Sequence, residues 1–402
     1  MSPMQLNFPT VEAESPSTIF DRPILALGFR PFFLLGAAMA ALWVPLYMLA
    51  WYGMIDLSGY AGMVAWHGHE MLFGFAGAII AGFLLTAVGN WTGAKMPSGL
   101  VLFGLVLAWI LGRLVMLFAG SLPWLVTLLV DGAFFPLVAV AIARPILATK
   151  NKRNYGFIFL LGALTIANLW FHLHAAGLVS STLGDPLYIA LDAVVVIMVV
   201  VGGRVIPFFT RNAVGDARID RSLWLDRLSI GGAAALLVAD LATLNPGITA
   251  YVALFAGIFT AARMWRWGSL RTLNNSLLWV LHLSYAFIAM GLILRGLSSF
   301  VPLSASTHAL TVGGVGLLTL GMMARVALGH TGRPLVVSPA ITCAFVLMAL
   351  AAALRVFVPI FLGFWYMPAI LASSALWAAA FIIYFAVYWP ILTRPRADGR
   401  AG

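Results

Sequence analysis

The sequence predicts an all-α, polytopic membrane protein of about twelve transmembrane helices with both termini in the cytoplasm. Three observations predict it. Of 402 residues, 62% are hydrophobic and 9% charged, and a mean hydropathy of +1.01 leaves too little polar surface to cover a soluble globule. Apolar runs of 18 or more residues recur from Phe32 almost to the C-terminus. Each is long enough to cross a hydrocarbon core roughly 30 Å thick as a helix, and too long and continuous for a barrel strand. Finally, 20 of the 23 lysines and arginines fall on alternate loops.

Taken in order, the runs and their basic flanks alternate. The run 31–52 follows a polar segment holding Arg22 and Arg30, and 66–88 and 99–119 enclose Lys95. The runs 123–147 and 157–179 enclose Arg144, Lys150, Lys152 and Arg153, and 187–209 and 228–244 enclose Arg204, Arg211, Arg218, Arg221 and Arg227. Arg263, Arg266 and Arg271 separate 248–266 from 276–297, Arg325 and Arg333 separate 306–328 from 339–360, and 366–390 leads to Arg394, Arg396 and Arg400. Only Arg295 and Arg355 lie near the intervening loops, and Arg113 is mid-span. Cationic loops stay cytoplasmic, so both ends are expected inside and the number of spans even. This bias accounts for the net charge of +10, which would otherwise suggest a nucleic-acid partner; none is expected.

The expected organisation is a cytoplasmic N-terminal segment over 1–30, one transmembrane domain over 31–390 and a cytoplasmic tail over 391–402. Residues 1–22 are polar and lack the apolar core of a cleavable signal, so the first span is expected to direct insertion. Internal repeats are limited to a faint echo between LWFHLH (169–174) and LWVLHL (278–283). The single cysteine, Cys343, excludes an internal disulfide, a cysteine-ligated iron–sulfur cluster and a CxxCH haem attachment. Any metal must be held by nitrogen, oxygen or thioether.

Seven histidines carry the chemistry. With the orientation above, His67, His69, His172, His174 and His308 all fall in the outer third of the membrane, while His282 and His330 lie toward the cytoplasmic side. Glu70, Asp131, Asp192 and Asp240, the carboxylates inside the runs, share the outer bias. Ionisable side chains at bilayer depth cost at least a few kcal/mol and normally face a polar, functional interior. Helix-packing hydrogen bonds are the competing explanation for each group taken singly.

His67 and His69 project about 200° apart on a regular helix, so they cannot ligate one ion there. Either the span begins irregularly and the pair chelates locally, or the helix stands between two centres with one histidine facing each. The same holds for His172 and His174. Imidazole suits iron, copper and zinc alike, and Met71, one turn after His67, is a candidate thioether ligand as well as a packing residue. Gly68, Gly74, Gly77 and Gly82 leave a narrow surface for a neighbouring helix or a flat macrocycle. Arg113 requires a buried carboxylate or an anionic cofactor group. Arg204 and Arg211, in GGRVIPFFTRN (202–212), suit a propionate, a lipid phosphate or simple anchoring at the cytoplasmic face; His282 and Tyr285 are spaced as a hydrogen-bonded redox pair, with a bond from His282 to a backbone carbonyl as the favoured alternative.

FRPFFLL (29–35), WHGHEMLFGF (66–75), FLLTAVGNWTG (83–93), LWFHLHAAG (169–177), GGRVIPFFT (202–210), LWVLHLSY (278–285) and ARVALGHTGRP (324–334) together resemble the NnrS family over about Pro23 to Arg333, whereas the last two runs bear no usable motif. The resemblance implies a multi-pass protein of the bacterial inner membrane that carries haem, expected as b-type, and copper, in the response to nitric oxide and nitrosative stress of denitrifying and related bacteria. It supplies no ligand assignment. The seven histidines remain the metal-ligand candidates, Arg113 and Arg204 the cofactor-binding candidates, and Glu70 and Asp131 the acid–base candidates for proton delivery. Nitric oxide is the expected small ligand, processed as by an oxidoreductase or only bound, with a quinol or small donor as electron source. A secondary transporter, or a cytochrome or sensor without catalysis, is the alternative.

Overall fold

The computed structural model describes residues 18–180 and 184–400. Most of the N-terminal segment, residues 1–17, on which the reading of a signal-free N-terminus falls, and the last two residues of the tail lie outside them.

Among the described residues, twelve long helices account for the fold. They are α1 (Phe29–Trp51), α2 (Met63–Thr92), α3 (Gly99–Leu117), α4 (Trp124–Ala148), α5 (Tyr155–Ala175), α6 (Pro186–Val214), α7 (Leu223–Leu241), α8 (Pro246–Ala262), α9 (Ser276–Gly296), α10 (Leu303–His330), α11 (Pro339–Phe361) and α12 (Tyr366–Thr393). Their starts follow local chemistry: Asp185, Asn245 and Asn275 cap α6, α8 and α9 by accepting backbone N–H bonds, and Pro186 and Pro246 occupy first-turn positions where no N–H is needed. Gly93, with φ of 69°, ends α2 in the left-handed conformation that glycine adopts without steric cost.

Eleven of these are long and apolar enough to span a membrane; α7 falls short because Asp226, Arg227 and Asp240 charge its 19 residues. Its packing nevertheless places it within the bundle as a twelfth long helix. Arg30, at the start of α1, donates to the carbonyls of Leu392 (3.0 Å) and Arg394 (2.8 Å) at the end of α12. The chain therefore enters and leaves the bundle at one end, the number of crossings is even, and α7, packed against α6 and α8, is the twelfth.

An apolar core runs continuously from Leu25 to Leu392 and includes side chains from most of the helices. Two spans depart from regular α geometry. Within α2, Glu70–Ala76 is π-helical, and within α10 so is Ala309–Gly316. Each widened stretch begins one residue after a histidine, His69 in one case and His308 in the other, and such insertions recur at functional sites. The helix α4 is interrupted at Ala133, two residues after Asp131.

Candidate metal centres

The histidine-bearing end of the bundle holds two polar groups, and α2 stands between them.

The first is a buried network. His69 and Asp131 are sealed from solvent at 0% and 1% exposure, as is His172 at 0%. The Nε2 atoms of both imidazoles converge on one oxygen of Asp131, at 3.2 Å from His69 and 3.0 Å from His172. Their Nδ1 atoms point outward to fixed oxygens, Glu70 Oε1 at 3.1 Å and the Tyr60 hydroxyl at 3.0 Å. Asn168 bridges the pair, its Oδ1 2.9 Å from His69 Nε2 and its Nδ2 donating to Asp131 at 2.8 Å. Arg113 donates to both Glu70 and Asp131, and the Trp43 indole N–H donates to the remaining oxygen of Glu70 at 2.8 Å. Burial and the nearby Asp131 charge push Tyr60, in the loop before α2, up to about 12, so its phenol stays protonated at neutral pH.

This donor set suits a cation of borderline hardness. Two imidazole nitrogens and a carboxylate oxygen lie within 4.8 Å of one another. Each imidazole keeps Nδ1 on an oxygen partner and turns Nε2 inward, the arrangement that orients metal-ligating histidines. Nitrogen and oxygen ligands of this kind accept Cu(II), and equally zinc or iron.

The second group lines a cavity of about 410 Å³, within the range of ligand and cofactor sites. His67 and Met71 enter it from α2, His308 from α10, Tyr188 from α6, and Arg355 and Tyr366 from the last two helices. The His67 ring stacks on Tyr47, centroids 4.1 Å apart and planes 18° apart. His308 Nδ1 lies 2.7 Å from the carbonyl of Ser304, so Nδ1 carries the proton and Nε2 the lone pair. Nη1 of Arg355 is shielded from solvent and meets no hydrogen-bond partner among the described residues. One unused guanidinium donor in an otherwise mainly apolar cavity suits an anionic group, and haem carries two propionates. Two imidazoles, one underused arginine and a cavity of this size fit a haem.

The HxH pair is thus split between two groups, and His172 and His308 each join one of its members. His174 is not brought in: it lies about 200° round α5 from His172 and is exposed. His282, at the opposite end, has both ring nitrogens engaged, by Thr210 Oγ1 at 2.8 Å and Ser269 Oγ at 2.9 Å, and it does not bond Tyr285, whose hydroxyl accepts from Arg263 at 2.7 Å. His330 sits at that same end against the Phe29 ring, 5.6 Å between centroids. Arg204 is also there, donating to Asn154 at 2.8 Å, so it is remote from both groups. Gly74, Gly77 and Gly82 face Met39, Phe135 and Phe32, which makes them helix-packing positions; Gly68 lies on the cavity wall. The other two carboxylates, Asp192 and Asp240, share Arg295 as Glu70 and Asp131 share Arg113.

Sequence reasoning missed Tyr60, Asn168 and Arg355. Asn168 was signalled by its place one helical turn before His172, and Arg355 by being one of two arginines on the lysine-poor side. Tyr60 carried no signal.

A bundle of helices long and apolar enough to span a membrane, with one buried and one half-buried histidine group at one end, is that of an integral membrane protein with side chains that could hold a metal. The chain belongs to the NnrS family: residues 23–396 match the model described as NnrS protein, so the likeness extends through the last two helices as well. No curated protein matches the chain.

Proposed function

We propose that the protein is a haem- and copper-carrying protein of the bacterial inner membrane that binds nitric oxide in the nitrosative-stress response, with both centres near the periplasmic face. The observation that supports this most is the division of the HxH pair, His67 to the cavity with His308 and His69 to the network with His172. When bound, haem and copper would supply metal chemistry for a diatomic gas and one-electron couples.

His67 and His308 would hold the haem iron, His308 through the Nε2 that its bond to Ser304 leaves free. Arg355 would take a propionate, and Tyr47 keeps the His67 ring in plane by stacking. The haem would be held without covalent attachment, as a b-type haem is, since one cysteine cannot make the usual pair of thioether bonds. Copper would be held by His69, His172 and Asp131, with Glu70 and Tyr60 accepting the Nδ1 protons. Arg113 offsets the charge of Glu70 and Asp131, which are the acid–base groups nearest this centre. Nitric oxide is uncharged and small enough to enter the mainly apolar cavity from lipid; where it is reduced, a quinol or small donor is the electron source. The transporter alternative favours a midplane site, and both groups instead stand at one end.

Absorption spectra and metal analysis of the purified protein test this. His67→Ala and His308→Ala are expected to lose the Soret band, and His69→Ala, His172→Ala and Asp131→Asn to lose copper while keeping it; nitric oxide should shift the band of the wild type. A full Soret band in the first pair, with loss confined to the second set, would overturn the assignment.

A further inference from the structure

At the opposite end of the bundle lies a second cavity, of about 300 Å³, that neither metal centre uses. Arg153, Arg204, Arg211 and Arg221 line it, and Asp220 is the one carboxylate among the described residues of its wall. Retention of cationic loops on one side of a membrane accounts for charge in these segments, but not for its convergence. Arg153 precedes α5, Arg204 and Arg211 lie seven residues apart and so on one face of α6, and Arg221 comes from the loop before α7.

Three of these four arginines are not neutralised by a carboxylate among the described residues. Arg204 donates to Asn154 Oδ1 (2.8 Å) and to the carbonyl of Arg153 (3.2 Å), both uncharged acceptors, and lies over the Phe157 ring at 5.8 Å. Among the described residues, none of Arg153, Arg204 and Arg211 has a carboxylate within ion-pair distance. The nearest buried carboxylate, Asp226, is taken by Arg263 at 2.7 Å, with Arg221 at 3.6 Å. Like charges gathered round a concavity repel unless an anion sits among them, and the planar guanidinium fork matches phosphate oxygens in pairs.

We infer that this cavity binds a phosphate-bearing anion. Its wall points to the source: Phe208, 48% exposed, lies on a membrane-spanning helix beside Arg204 and Arg211, so a phosphate approaching in the plane of the bilayer lays its apolar part on that ring. The headgroup phosphate of an anionic phospholipid is the ligand this geometry favours.

The test uses the full-length protein reconstituted in vesicles of equal phosphatidylglycerol and phosphatidylcholine, extracted and weighed by native mass spectrometry. Wild type is expected to retain phosphatidylglycerol selectively, and each arginine near the surface contributes about fivefold, so Arg204→Ala with Arg211→Ala should cut the preference by more than tenfold. Should that variant fail to fold, Arg153→Ala with Arg211→Ala, both exposed positions, is expected to lower it in the same way. A parallel titration with inorganic phosphate in phosphatidylcholine nanodiscs separates the sources: binding there, lost in the same variants and with no lipid selectivity, assigns the site to a soluble phosphate compound. No lipid preference together with no phosphate binding, or preferences indifferent to the substitutions, would overturn the proposal.

Discussion

Arg113 shows how one residue sets the polarity of a membrane interior. Its side chain is 5% exposed and holds two carboxylates, Glu70 and Asp131, from two other helices. Removing one partner of such a group leaves uncompensated charge in a low dielectric, at a cost of about 3–5 kcal/mol. Arg113→Leu is therefore expected to lower the melting temperature in detergent, and Arg113→Leu with Asp131→Asn to recover part of the loss. Gly203 illustrates the opposite constraint, imposed by absence of a side chain. A Cβ there would collide with Nη2 of Arg263, whose guanidinium is pinned by Asp226, Val199 and Tyr285. Gly203→Ala should destabilise by about 1–3 kcal/mol, whereas Gly231→Ala, where a Cβ meets nothing within 4 Å, should be neutral or gain about 0.5–1 kcal/mol from helix propensity. Paired thermal melts check both signs. Gly203 thus leaves room for a buried arginine, and the arginines of GGRVIPFFTRN, Arg204 and Arg211, line the cavity at the far end.

Among elements, α2 carries most of the functional information. Its HxH spacing left two arrangements open, a local chelate or one histidine to each of two centres, because helical angle alone cannot say what lies on either side. The neighbours decide: α4 and α5 bring Asp131 and His172 to one face, and α10 brings His308 to the other. The π-helical stretches that follow His69 and His308 could not be read from residue type, since nothing in EMLFGFA or ALTVGGVG excludes a regular helix. At the far end, the segment after α12 docks through Arg396 Nη1 on the carbonyl of His330 (2.7 Å) and the Ala397 amide on Thr331 (2.9 Å). The side chain of Arg396 also bonds Asp398 and lowers that carboxyl to about 2. A depressed carboxyl stabilises above its ordinary pKa of about 3.9 and loses that contribution as pH falls through the folded value. Protection of the Ala397 amide from hydrogen exchange is accordingly expected to persist at pH 5 and decline between about pH 4 and 2. Asp398→Asn should abolish the pH dependence.

For the whole molecule the decisive feature is that the start of α1 meets the end of α12, through Arg30 on Leu392 and Arg394. An even number of crossings follows, and the placement of cationic loops is the basis for orienting them. With Cys343 replaced by Ser, a cysteine at Ser58 is expected to react with an impermeant thiol reagent from the periplasmic side. One at Lys152, which lies at the arginine-lined end, should react only after the membrane is opened. The reverse pattern would invert the topology and place the histidine groups inside.

The sequence by itself determined the class of fold, the approximate spans and the end of the bundle at which His67, His69, His172 and His308 gather, because lipid admits few backbones and charge bias orders the loops. Depth along the membrane normal is one coordinate per residue, and alternation of spans is enough to read it. Rotation about each helix and the choice of neighbours are not encoded locally, so only the tertiary structure could send His67 and His69 to different groups, turn His174 away, and draw Arg355 and Tyr366 from spans that looked featureless. Those angular facts depend on how twelve helices pack against one another at once.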